Sequence, residues 1–178
     1  SYFFDYLILI VIVIFQDDLR RALAHVGKNP FFAAASAEEE REMIDEIARA
    51  ATRRARERGG ALLVIERETG LKNFIATGSQ LDSKVKAELL YSIFAPTSPI
   101  HDGAVIITGG RIAAAGCFLP LSKDPNIDKR YGTRHRAALG LTEDSDAIVV
   151  LVSEEAGEAH LVKSAKITTN LNEQELRQ

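Results

Sequence analysis

The sequence predicts an α/β fold, a single domain with a central mixed β-sheet flanked by helices. Three observations carry this. Short apolar runs such as ALLVI (61–65) and DAIVVLV (146–152) read as strands buried on both faces. They are interleaved with stretches of helical periodicity, the pattern of a sheet covered by helices. Two further apolar runs, 104–108 and 111–118, are separated only by Gly109-Gly110, which is a hairpin signal, so at least one strand pair is antiparallel.

Composition bounds the rest. The chain has 178 residues, 46% hydrophobic and 26% charged, which suits one domain of ordinary size plus an appendage. A net charge of -3 argues against a dedicated duplex-binding protein, so no nucleic-acid partner is expected. The single cysteine, Cys117, excludes an internal disulfide and a thiolate zinc cluster.

Residues 1–35 are expected to form an N-terminal appendage, a helix end plus linker, and residues 36–178 the main domain. The run 6–15 (YLILIVIVIF) is apolar and uncharged, half the roughly 20 residues a spanning helix needs. It reads either as a buried strand or core helix, or as the last part of a transmembrane helix. Leu19, Leu23 and Val26 then sit at helical spacing, and Arg20, Arg21 and Lys28 match a positive-inside flank. Residues 28–35 read as a linker broken by Gly27, Asn29 and Pro30.

Ser36 and Glu39 form a capping-box pattern that opens a helix, with Met43, Ile44, Ile47 and Ala51 as its apolar stripe. Arg53, Arg54, Arg56 and Arg58 crowd its last turns, where cations suit the helix dipole, and read as a solvated helix end. Gly59-Gly60 closes it. After strand 61–65, residues 70–82 read as polar turn. Ser83 reads as the cap of a helix running to Phe94, with Val85, Leu89, Ile93 and Phe94 on one face. Pro96 and Pro99 stop that helix and lead to His101-Asp102-Gly103. Beyond the hairpin, 123–131 is a charged loop. A short helix follows over 134–139, with Thr133 as N-cap and Gly140 as stop. Strand 146–152, its partner 159–162 and a last short helix signalled by Asn172 and Glu175 complete the chain.

Two stretches carry chemistry. Asp102 reads either as an ordinary turn aspartate or as a ligand of Mg²⁺ or Mn²⁺, hard cations that often take only one or two protein oxygens when phosphates supply the rest. Gly103 lets a ligand approach the backbone, and a His101 imidazole suits Mn²⁺ better than Mg²⁺. In Arg134-His135-Arg136, two arginines occupy a helix start, where cations oppose the dipole. A locally unfavourable choice points to function, and a bound anion would relieve it. Arg134 can grip a phosphate bidentately and Thr133 can bond a phosphate oxygen. The alternative is pairing with acids of the 123–129 loop. Ser153-Glu154-Glu155 follows a buried strand, where open α/β sheets tend to place ligand contacts; a plain polar turn reads equally well.

The segments ALLVIERETGL, SPIHDGAVII, RIAAAGCFLPLS, YGTRHRAALGL and IVVLVSEEAG, in that order, resemble the diadenylate cyclase family, whose DGA and RHR motifs stand here unbroken. FQDDLRRALAHVG resembles the link after the third transmembrane helix in the membrane-anchored, CdaA-type branch of that family. The resemblance implies condensation of two ATP into cyclic di-AMP with release of two pyrophosphates, assisted by Mn²⁺ or Mg²⁺. It implies two domains face to face, each holding one ATP. It assigns Asp102 to the metal and the 3′-hydroxyl, and Gly103 and Ala104 to the nucleotide lining. Thr133, Arg134, His135 and Arg136 are assigned to phosphates, Ser153 and Glu154 to further nucleotide contacts, and Leu119 to adenine. His101 and Glu155 are additional metal candidates. A cytoplasmic catalytic domain anchored to the membrane, with a membrane regulator as partner, is the implied setting. A non-catalytic nucleotide sensor or a membrane-tethered interaction module on the same fold are the alternatives.

Overall fold

The structure, a computed structural model, describes residues 30–177, with side chains from residue 37 on. Chain contacts divide it into two units, 1–39 and 40–178. The apolar run 6–15 and the segment 19–26 lie outside the described residues. Among the described residues no helix is long and apolar enough to cross a membrane.

Helix α1 spans Pro30–Arg56. It therefore begins before Ser36, which is internal rather than a cap, and the expected linker is helical from residue 30. Pro30 was read as a breaker, but proline is well suited to the first helical position, where its missing N–H has no partner to lose.

The helix ends in a Schellman arrangement. Arg58 N donates to Ala55 O at 3.0 Å and Gly59 N to Arg54 O at 2.9 Å. The left-handed residue is Arg58 (φ 52°), not the neighbouring Gly59. The arginine run is also not simply solvated: Arg54 is buried, and the Arg53 guanidinium lies 3.7 Å over the Tyr91 ring.

The sheet has seven strands in the order β2-β4-β3-β1-β5-β6-β7. They are β1 Ala61–Ile65, β2 Ser79–Lys84, β3 Ala104–Thr108, β4 Arg111–Cys117, β5 Ile148–Ser153, β6 Glu158–Lys163 and β7 Lys166–Thr168. Only β1 and β3 run parallel, with Leu63 opposite Val105; every other neighbouring pair is antiparallel. The sheet is mixed, as predicted.

Side chains alternate across it. Leu63, Val105, Ile107, Val150 and Val152 join Ile47, Ala51, Leu90 and Ile93 in one core, under α1 and α3 (Ala87–Ile93). Leu62, Val64, Ile106, Val149 and Leu151 join Ala138 and Leu141 in the other, under α4 (Thr133–Glu143). Both faces are thus covered, which is why the central strands read as unbroken apolar runs.

Four local readings change. Residues 70–82 contain a short helix, α2 (Lys72–Ile75), and most of strand β2. Ser83 lies in β2, and α3 starts after Lys86 with no side-chain cap. Thr133 is the first residue of α4, behind Gly132, and caps nothing. Gly140 is internal to α4: a Cβ there would sit 2.3 Å from Pro120 O, so glycine admits the 120–122 backbone against the helix. The last helix, α5 (Glu173–Leu176), has the expected capping box between Asn172 and Glu175.

Candidate functional site

At the end of the sheet where β4 and β5 finish and β1 and β3 begin, a cavity of about 640 Å³ opens. Its walls include Asp102, Gly103, Leu119, Thr133, Arg134, Ser153, Glu154 and Glu155, so eight of the sequence-predicted residues converge there. His101, Ala104, His135 and Arg136 do not line it.

The Asp102–Gly103 turn feeds β3. Asp102 is exposed at the cavity. Gly103 holds φ 110°, and a Cβ on it would lie 2.8 Å from Cys117 O; both facts demand glycine. Ala104 is the first residue of β3, fully buried opposite Cys117. His101 Nδ1 lies 2.6 Å from Ser98 O. A carbonyl oxygen can only accept, so Nδ1 is the donor in this bond.

The start of α4 forms another wall. Its first turn has no acidic residue and no side-chain cap, so free N–H groups are available to an anion. Arg134 is partly buried and forms an ion pair with Glu154. Gly60 lies beneath this pair: a Cβ there would stand 2.4 Å from Arg134 Nη1 and from Glu154 Oε1.

His135 turns the other way, into the protein. It is buried, stacks on Tyr131 with centroids 4.6 Å apart and rings 3° from parallel, and lies 5.5 Å from His160. Burial first, and the neighbouring His160 second, push its pKa down to about 4, so its imidazole is neutral. The Arg136 backbone is tied at both ends, N to Gly132 O at 3.2 Å and O to Ser122 N at 2.9 Å.

The turn after β5 supplies the acids. Gly157 N closes it on Ser153 O at 2.9 Å, and Ala156 N donates to Ser153 Oγ at 3.3 Å. Opposite stands an apolar wall that sequence reasoning named only at Leu119. Phe118 and Leu121 are 69% and 49% exposed there, high for large apolar side chains. Phe118 N is anchored by Thr77 Oγ1 at 2.9 Å. Cys117 also lines this wall; burial pushes its thiol up to about 11, so it stays protonated. The one signal for this wall was Gly140, a glycine inside a helical pattern, which marks a close backbone approach.

Among the described residues, no group of three or more His, Cys, Asp or Glu is placed to hold a metal ion. Asp102, His101 and Glu155 thus do not make a closed protein cage. An exposed carboxylate at a cavity wall, beside an anion-binding helix start, fits a hard cation that takes few protein oxygens and completes its shell from phosphate and water.

The chain is similar to several known proteins. Residues 48–167 match the DAC family, DisA bacterial checkpoint controller nucleotide-binding. Over 173 residues the chain is 45% identical to the cyclic di-AMP synthase CdaA of Bacillus subtilis, covering 96% of this chain and 63% of the relative. It is 44% identical over 171 residues to a diadenylate cyclase of Listeria monocytogenes, covering 94% and 63%. The chain therefore spans less than two thirds of the length of these curated relatives. A double cysteine mutant of DacA from Staphylococcus aureus superposes with a TM-score of 0.76 at 44% identity, over 79% of this chain and 93% of that one. A hypothetical membrane spanning protein from Bacillus cereus superposes with a TM-score of 0.70 at 36% identity, over 90% and 79%.

Proposed function

The chain belongs to the DAC family, and on that premise we propose that it is a diadenylate cyclase that condenses two ATP into cyclic di-AMP and two pyrophosphates. The observation that carries this reading is the convergence of Asp102-Gly103, Thr133-Arg134 and Ser153-Glu154-Glu155 on one cavity. Relatives at 44–45% identity are named for the same reaction.

Each cavity takes one ATP. The triphosphate lies at the start of α4, where free backbone N–H groups and the Arg134 guanidinium meet it. Phosphate oxygens compete with Glu154 for Arg134, freeing the Glu154 carboxylate to turn to the nucleotide. Gly103, having no side chain, lets the ribose approach the backbone. The adenine rests against the 118–121 wall at Leu119. Asp102 accepts a hydrogen bond from the 3′-hydroxyl and orients it.

One cavity aligns one nucleotide, so two chains must face each other. Each 3′-oxygen then attacks the other nucleotide's α-phosphorus. Two phosphodiester bonds form, two α–β phosphoanhydride bonds break, two pyrophosphates leave and two hydroxyl protons are lost. Such transfer rests on positioning and charge neutralisation rather than covalent catalysis. A divalent cation, Mn²⁺ or Mg²⁺, would be held by Asp102, with phosphate and water completing its shell, and would add neutralisation of the phosphates; among the described residues His101 and Glu155 do not join Asp102 in a three-ligand group. His135 and Arg136 act from behind this wall, through the helix they belong to. A membrane-anchored setting, with the catalytic domain at the cytoplasmic face and within reach of a membrane regulator, belongs to the same proposal. The likeness to a membrane spanning protein supports this.

The test is incubation with ATP and Mn²⁺, products read by chromatography and mass. Cyclic di-AMP plus pyrophosphate is expected, with a rate rising as the square of enzyme concentration while the dimer is weak. ATP bound at high protein concentration without product would overturn the reading. Asp102→Asn should still bind ATP and lose turnover.

A further inference from the structure

We propose that Arg58 is a positioning residue: it fastens the 153–157 turn to the end of α1 and so sets where Glu154 and Glu155 stand in the cavity. The proposal deepens the cyclase reading and rests on it for the identity of the nucleotide.

The first observation is backbone strain. Arg58 occupies the left-handed C′ position of the Schellman motif at φ 52°, a place glycine fills more cheaply. Glycines were at hand, since residues 59 and 60 follow directly. A side chain kept where glycine would be favoured suggests a task for that side chain.

The second observation is the task. Arg58 Nη1 donates to the Glu155 carbonyl oxygen at 2.9 Å. This is a charge-assisted bond between elements 97 positions apart in sequence. The third is the fit around it. Gly157 (φ 70°) lies against the helix end, where a Cβ would be 3.2 Å from Ala55 O and 3.3 Å from Arg58 Cγ. Two residues on, Gly60 leaves room for the Arg134–Glu154 pair. The 58–60 junction therefore touches both the backbone and the carboxylate of the acidic wall. Arg58 itself does not line the cavity; it acts through Glu154 and Glu155.

Arg58→Gly separates this role from folding. Glycine suits the left-handed backbone, so the melting temperature should stay within about 4 °C of wild type, while the bond to Glu155 is lost. With ATP and Mn²⁺, kcat/KM should fall by about tenfold or more, because misplacement of catalytic groups by a fraction of an ångström is costly. Arg58→Lys, which keeps the charge and one donor but distorts nothing else, should recover part of that loss. The affinity for a non-hydrolysable ATP analogue, followed by titration, should weaken in the same order: Gly most, Lys less. Unchanged kinetics and unchanged analogue affinity in Arg58→Gly would overturn the proposal. So would equal losses in the Gly and Lys variants accompanied by a large drop in melting temperature, which is the mark of a merely structural residue. If wild type binds the analogue but makes no cyclic product, the cyclase reading fails while the analogue series still decides the role of Arg58.

Discussion

Arginines crowd two helix ends in this chain: 53, 54, 56 and 58 at the close of α1, and 134 and 136 at the opening of α4. At the first end the charges agree with the helix dipole. Arg53 stacks on Tyr91, Arg54 is buried 3.8 Å from Glu57, and both are absorbed into the packing. At the second end they oppose the dipole, with no acidic residue in the first turn and no cap to offset them. There Arg134 faces a cavity and meets an acid from another element. Where a charge satisfies its own helix, the structure uses it for stability. Where it does not, the compensation has to come from outside the helix, and a phosphate is suited to supply it. Arg58 stands between the cases: its charge suits the helix end, its backbone does not, and its side chain leaves for the acidic turn.

The comparison is broken most easily at Arg134. Arg134→Ala should lower kcat/KM with ATP by about 10²–10³-fold, the usual cost of removing one preorganised charge from a transition state. Its melting temperature should hold or rise slightly, since a cation leaves a helix N-terminus. A large loss of stability would place Arg134 with the α1 arginines instead.

His135, next along the same helix, sharpens the contrast by pH. Its folded pKa is depressed to about 4, below the roughly 6.5 of an unfolded histidine. Between those values the unfolded chain binds more protons than the folded one. This contribution to stability is therefore complete above about pH 6.5 and is lost as pH falls towards 4. Urea unfolding across that window should show the decline, and His135→Phe, which keeps the Tyr131 stack, should flatten it. An unaltered slope in the variant would remove His135 as its source.

The smallest effect belongs to α1. Arg53→Ala should cost less than about 1 kcal/mol, the range of an exposed cation–π contact, and leave the turnover of folded protein untouched.

The fold was legible where burial wrote it into composition. The β3–β4 hairpin was visible because two apolar runs flank Gly109-Gly110. Strand β2 (SQLDSK) was not, because it is an edge strand with five exposed residues and one half-buried, held by backbone pairing to β4 and the Arg111–Asp82 ion pair rather than by apolar side chains. Its Ser83 looked like a helix cap for the same reason. The site was legible as motifs but not as directions. Arg134 and His135 are adjacent in sequence, yet successive helical residues point about 100° apart, so one faces the cavity and the other the core. Which of them does so depends on Tyr131, four residues back, and on His160, whose contact with His135 is long-range and leaves no mark on spacing. Phe118 reads as the tail of a buried strand and Leu121 as chain leaving the sheet, and nothing in the local pattern shows that both stand exposed at the cavity, with the 120–122 backbone against Gly140.

The two outer strands have a further consequence, for how copies of this chain can meet. β2 is interrupted by a bulge between Gln80 and Ser83, with Asp82 in a left-handed conformation and tied to Arg111. β7, at the opposite border, is three residues long and begins beyond the left-handed Ser164 and Ala165. Neither border offers a long, flat row of free amides and carbonyls, the template on which sheets grow from one molecule into the next. Among the described residues, lateral zippering is therefore blunted on both flanks, and sheet-to-sheet growth between copies is disfavoured.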